Sequence, residues 1–76
     1  MRLDYSDHAR RRMDQRRVSE AEVEDVLINF VQHRRSRDHP RCWIYTGFPS
    51  GRKVAVEVEE GTDPLQVVTV WADRRR

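Results

Sequence analysis

The sequence predicts an α+β domain in which two N-terminal helices pack on one face of a three- to four-stranded antiparallel sheet. Three observations carry that prediction. Apolar residues recur at helical spacing as far as Phe30 and at strand spacing beyond it. Ser19 and Glu22 stand at capping-box spacing, with Val18 and Val23 placed as a hydrophobic staple around them. In the stretch KVAVEVE, Val54, Val56 and Val58 alternate with Lys53, Glu57 and Glu59, so one face is apolar and the other charged.

Each element follows from local chemistry. Met1–Tyr5 has room for a short edge strand or an extended arm. Ser6 is placed to cap a first helix, with Asp7 favourable at its positive end, and the helix stops near Arg17. Tyr5, Ala9 and Met13 form its apolar stripe, and Asp7, Arg10, Arg11 and Asp14 form its solvated side. The second helix starts at the Ser19 cap, ends near Asn29 and buries Val23, Val26, Leu27 and Phe30 at i, i+3, i+4 and i+7. FVQHRR then reads as extended chain, and Ser36, Asp38 and Pro40 as a turn. CWIYTGF is a strand that puts Trp43 and Tyr45 on one face and Cys42, Ile44 and Thr46 on the other; the stretch leaves open which face meets the helices. LQVVTVWA is apolar at nearly every position, which predicts a central strand covered on both faces. Residues 1–73 form one domain without repeat or linker; Asp73 falls at its margin and the Arg74–Arg76 tail is expected to be disordered.

Seventy-six residues can bury only a thin core, since charged and hydrophobic residues each make up 37% of the chain. The formal net charge is +2, yet Lys53 is the single lysine, so arginine supplies 14 of the 15 positive charges. Arginine suits planar, bidentate recognition of phosphate or carboxylate. One cysteine excludes an internal disulfide, and the apolar runs fall short of a membrane span or a signal-peptide core, so the expected address is a reducing cytoplasm.

The sharpest constellation is His8, Arg12 and Arg16, set at i, i+4 and i+8 along the edge of the first helix's apolar stripe. Histidine titrates near neutrality and can move a proton, while two guanidiniums can hold a phosphate and the charge that develops on it. The competing reading is that both arginines reach past the core and pair with carboxylates of the second helix or the sheet. A second basic cluster comprises Arg34, Arg35, Arg37 and Arg41 at a strand–turn–strand junction. It could track an RNA backbone, with Trp43 or Tyr45 stacking a base. The Tyr45 hydroxyl is also a candidate proton donor or phosphate ligand. Cys42 reads as a small buried hydrophobe, and the scattered histidines offer no zinc site, so neither metal nor cofactor is expected.

The run His8-Ala9-x-x-Arg12-Met13-x-x-Arg16-x-Val18-Ser19-x-x-Glu22-Val23-x-x-Val26-Leu27, with Val67-Val68-Thr69-Val70 near the end, resembles the DUF4258 family. That resemblance implies a RelE-like fold, in the barnase, EndoU, colicin and RelE group of small ribonuclease toxins. It further implies metal-independent endonucleolytic RNA cleavage, RNA or the ribosome as partner, a protein antitoxin and no membrane. Carried onto this chain, it makes His8 the general acid or base, Arg12 and Arg16 the phosphate ligands, and Thr69 a polar site residue on the last strand.

Three functions are therefore in view. The favoured one is a toxin-type endoribonuclease in which His8 assists attack of a 2′-hydroxyl on its own phosphate. The alternatives are a non-catalytic RNA- or ribosome-binding module and a regulatory protein-interaction domain.

Overall fold

The computed structural model describes residues 1–73; the Arg74–Arg76 tail, expected to be disordered, lies outside the described residues. The chain runs through β1 (Leu3–Tyr5), α1 (Asp7–Arg16), α2 (Glu20–Asn29), β2 (Gln32–Arg35), β3 (Cys42–Gly47), a single 3-10 turn at Pro49–Gly51, β4 (Val54–Glu59) and β5 (Leu65–Ala72). The strands form one sheet in the order β1-β5-β4-β3-β2.

The α+β class and the two helices match the sequence expectation, and two details differ. The sheet has five strands, and β1 pairs with β5 in parallel, so it is mixed rather than wholly antiparallel. Three residues are too few to show a period, which is why β1 is indistinct in the sequence. β1 and β2 lie at opposite edges of the sheet, and α1 and α2 make the crossover between them before the other four strands run as an antiparallel meander.

Both helices cover the same sheet face. Ala9 and Met13 of α1, Val18 in the connection, and Val23 and Val26 of α2 pack against Val54, Val56, Val58, Val67, Val70 and Ala72. The expected capping box is present: the Ser19 N–H donates to Glu22 Oε1 at 3.0 Å and the Glu22 N–H donates to Ser19 Oγ at 3.1 Å. Tyr5 belongs to β1 rather than to the helical stripe, but its half-buried ring still packs on this core.

β5 is not covered on both faces. The β4–β5 register slips between the Glu57–Thr69 and Val58–Val67 pairs, leaving Val68 as the extra residue of a bulge. Val67 and Val70 therefore both face the core although they lie three positions apart. The continuous apolar run thus records a local change of register, and Trp71 on the uncovered face is 44% exposed.

Arg52 locks this arrangement at one corner. Its guanidinium donates to the carbonyls of Arg16 and Arg17 at the end of α1 and to the Asp73 carbonyl after β5. It also lies 3.7 Å from Glu22 at the start of α2, in a pair whose side chains are 12% and 11% exposed. Asp73, expected at the margin, is held further by its N–H donating to the Lys53 carbonyl at 3.1 Å. Among the described residues no helix is long and apolar enough to cross a membrane.

Candidate functional site

Ser6 starts α1 by accepting from the Ala9 N–H at 3.0 Å, which fixes the rotation that buries Ala9 and Met13. His8 and Arg12 are consequently exposed and Arg16 is half-buried. Arg12 donates to Gln15 at 3.3 Å, and neither Arg12 nor Arg16 forms an ion pair among the described residues. Consumption of both guanidiniums by carboxylates is therefore not what the fold does with them. Arg10, placed on the solvated side, instead bridges to α2: it donates to Glu20 at 2.8 Å and sits 4.5 Å over the Tyr5 ring. Burial, followed by the charges of Glu20 and Glu24, raises the Tyr5 pKa.

The sheet separates two residues the sequence places in one catalytic set. Tyr45 pairs across the ladder with Val56, which pairs with Val70, so Tyr45 stands on the helix-bearing face. Thr69 pairs with Glu57, which pairs with Ile44, so Thr69 stands on the opposite face. No one surface can include His8, Arg12, Arg16, Tyr45 and Thr69.

The β2–β3 arginines divide in the same way. Arg35 lies on the helix-bearing face, its guanidinium 4.5 Å from the Trp43 ring centroid and 3.5 Å from Glu60. Trp43 donates to Glu60 at 2.8 Å, and that bond, with the Arg35 and Arg41 charges, lowers the Glu60 pKa. His33 stacks on Tyr45 at 5.8 Å with Phe30 edge-on beside them, so the aromatic rings here serve one another. Arg34 points to the other face. Among the described residues Arg34, Arg37 and Arg41 form no ion pair.

Several of the predicted residues line a concave surface on that other face. Cross-strand pairing produces two rows over it, Arg34–Ile44–Glu57–Thr69 and Gln32–Thr46–Ala55–Trp71. With Lys53 at one end, the rows line a cleft of about 430 Å3. An adjoining depression of about 530 Å3 shares Arg34, Ile44 and Glu57 with it and extends through Arg35 to Arg37 and Asp38. The two together form a groove across the sheet lined by four cations (Arg34, Arg35, Arg37 and Lys53) and two carboxylates (Glu57 and Asp38). The Cys42 thiol faces Glu57; burial first and that carboxylate second push the thiol's pKa up, which keeps it a neutral, unreactive group.

The sequence singles out Arg34, Arg35 and Arg37 as an RNA-binding cluster and Thr69 as part of a separate catalytic set, and marks none of Lys53, Ala55, Glu57 and Trp71 as a site residue. The alternation of β4 already turns Lys53 and Glu57 outward; the missing information was the register that sets them beside Arg34 and Trp71. Among the described residues no group of three or more His, Cys, Asp or Glu is gathered to hold a metal ion.

Neither a curated protein nor a solved structure matches the chain. One family model does, described as "Domain of unknown function (DUF4258)", and it matches residues 5–72. Since the match runs from the last residue of β1 to the end of β5, the chain belongs to the DUF4258 family.

Proposed function

We propose that this protein is an RNA-binding module that holds a single-stranded RNA along the groove on the uncovered sheet face. The observation that carries the reading is the juxtaposition of Arg34, Arg37 and Lys53 along one groove, with the Trp71 indole exposed at its end. Unpaired guanidiniums neutralise phosphates, and an exposed indole supplies a stacking platform usable by any base. The overall charge of +2 does not contradict this, because the acidic residues at the start of α2 lie on the other side of the sheet.

Endonucleolytic cleavage is the second reading, with His8 as acid or base and Arg12 and Arg16 on the phosphate. Its support is that, among the described residues, both guanidiniums lack a carboxylate partner and lie on the same helix as an exposed histidine. One experiment separates the two. The purified protein is titrated with labelled mixed-sequence single-stranded RNA in EDTA at several salt concentrations, wild type beside His8→Ala, Arg34→Ala and Arg37→Ala. The binding reading expects intact RNA, unchanged affinity in His8→Ala, and weaker binding in each arginine variant with the salt slope reduced by about 0.7. Absence of salt-dependent binding would overturn it. Cleavage by wild type that His8→Ala abolishes would establish the catalytic reading instead.

A further inference from the structure

Side-chain size varies along the two residue rows of the groove. Ala55 lies between Thr46 and Trp71 and is the smallest side chain of its row. It therefore leaves a notch whose wall is the Trp71 indole. Two residues along β4, on the same face, stands Glu57. Trp71 and Glu57 are diagonal neighbours across the β4–β5 pair, a relation that spans about 7–8 Å and is within reach of long side chains. Glu57 is half-buried, and among the described residues no arginine or lysine pairs with it, although Arg34 and Lys53 line the same cleft. An ionised carboxylate accepts through two oxygens and has room for a partner beyond the Cys42 thiol.

The partner's chemistry follows from that donor demand. A base lying over Ala55 against Trp71 would turn an edge toward an acceptor-only group. Guanine alone presents two adjacent donors there, N1–H and N2–H, at the fork spacing of a carboxylate. Adenine and cytosine each place a ring-nitrogen acceptor beside their one amino group, and uracil flanks its single N–H with two carbonyls. A carboxylate meeting any of those three leaves an acceptor facing an acceptor. We propose that the Trp71–Ala55–Glu57 notch is a guanine-selective subsite for single-stranded RNA, in which Trp71 stacks the base and Glu57 accepts from N1–H and N2–H. This rests on the RNA-binding reading and adds base selectivity to it. Arg34, two strands from Glu57 and so about 10 Å away across the sheet, is placed for a neighbouring phosphate.

The test uses the full chain and four hexanucleotides, oligouridine carrying G, A, C or U at one central position. Binding is followed by anisotropy, and by quenching of Trp71 emission in a Trp43→Phe background. The subsite predicts about tenfold tighter binding of the G oligonucleotide, with quenching that is strongest for G. In Glu57→Gln the amide presents a donor where an acceptor is needed, so the G preference should vanish while salt-dependent binding of all four continues. Equal binding of the four by wild type, or a G preference that Glu57→Gln retains, would overturn the guanine subsite and leave RNA binding standing. Failure of all four to bind would overturn both. The quenching comparison needs no change at Glu57 and decides the matter even if that variant fails to fold.

Discussion

Arg52 donates to three backbone carbonyls and faces Glu22 in a nearly enclosed corner where α1 ends and α2 begins. Truncating it removes those donors and leaves the Glu22 carboxylate, one oxygen of which already has no partner, buried without a counter-charge. Arg52→Ala is expected to cost about 3 kcal/mol, which urea unfolding measures, while Arg11→Ala on the solvated side of α1 should cost little. Nothing in the sequence marks Arg52, because an arginine after a Pro-Ser-Gly turn has no periodic partner and its acceptors lie more than twenty residues away. Glu60 makes a second residue-scale prediction. The Trp43 bond, with the Arg35 and Arg41 charges, holds its folded pKa below the ordinary value, so the contact is intact at neutral pH and is lost as pH falls through that lowered pKa. In a Trp71→Phe background, Trp43 fluorescence should titrate with a midpoint below the ordinary glutamate value of about 4.3. Glu60→Gln should abolish that step.

Ser6 ties two elements together. Its hydroxyl accepts from the Ala9 N–H to cap α1 and donates to the Val68 carbonyl at 2.8 Å, the carbonyl of the bulged residue in β5. Ser6→Ala should therefore lose both a cap and a tether, about 2 kcal/mol in thermal or urea unfolding. Ser6→Asp keeps the acceptor but lacks the hydroxyl proton, and should recover only part of that loss. The cap was legible in the sequence because capping is local chemistry, as was the box at Ser19 and Glu22. The tether was not, since it depends on a bulge. Bulges break the period from which strands are read, and that is why the Val67–Val70 run looked like a strand buried on both faces. β1 was faint for a related reason: three residues pairing with the far end of the chain carry almost no local signal.

At the scale of the molecule, the sheet has one face covered by helices and one left open, and the predicted arginines are distributed between them by alternation alone. The basic strand pair was visible from composition, but the candidate site came out as two incomplete halves. Tyr45 and Thr69 could not be assigned to faces before the register was known, and Glu57 looked like one more solvent-facing carboxylate. Helical spacing needs no partner strand, so the His8, Arg12 and Arg16 set could be proposed from the sequence alone.

The outer strand β2 is exposed at all four positions, and its run His33-Arg34-Arg35 lines a free edge of backbone donors and acceptors. Two copies meeting there would have to set arginines against arginines before a single ladder bond could form. The edge is thus guarded by charge rather than by a proline or an overlying loop. Such a guard depends on the surrounding medium: it is strongest in dilute salt and fades as counter-ions gather. Pairing of copies through this edge is therefore expected to become easier as ionic strength rises at a fixed protein concentration, which sedimentation in low and high salt checks.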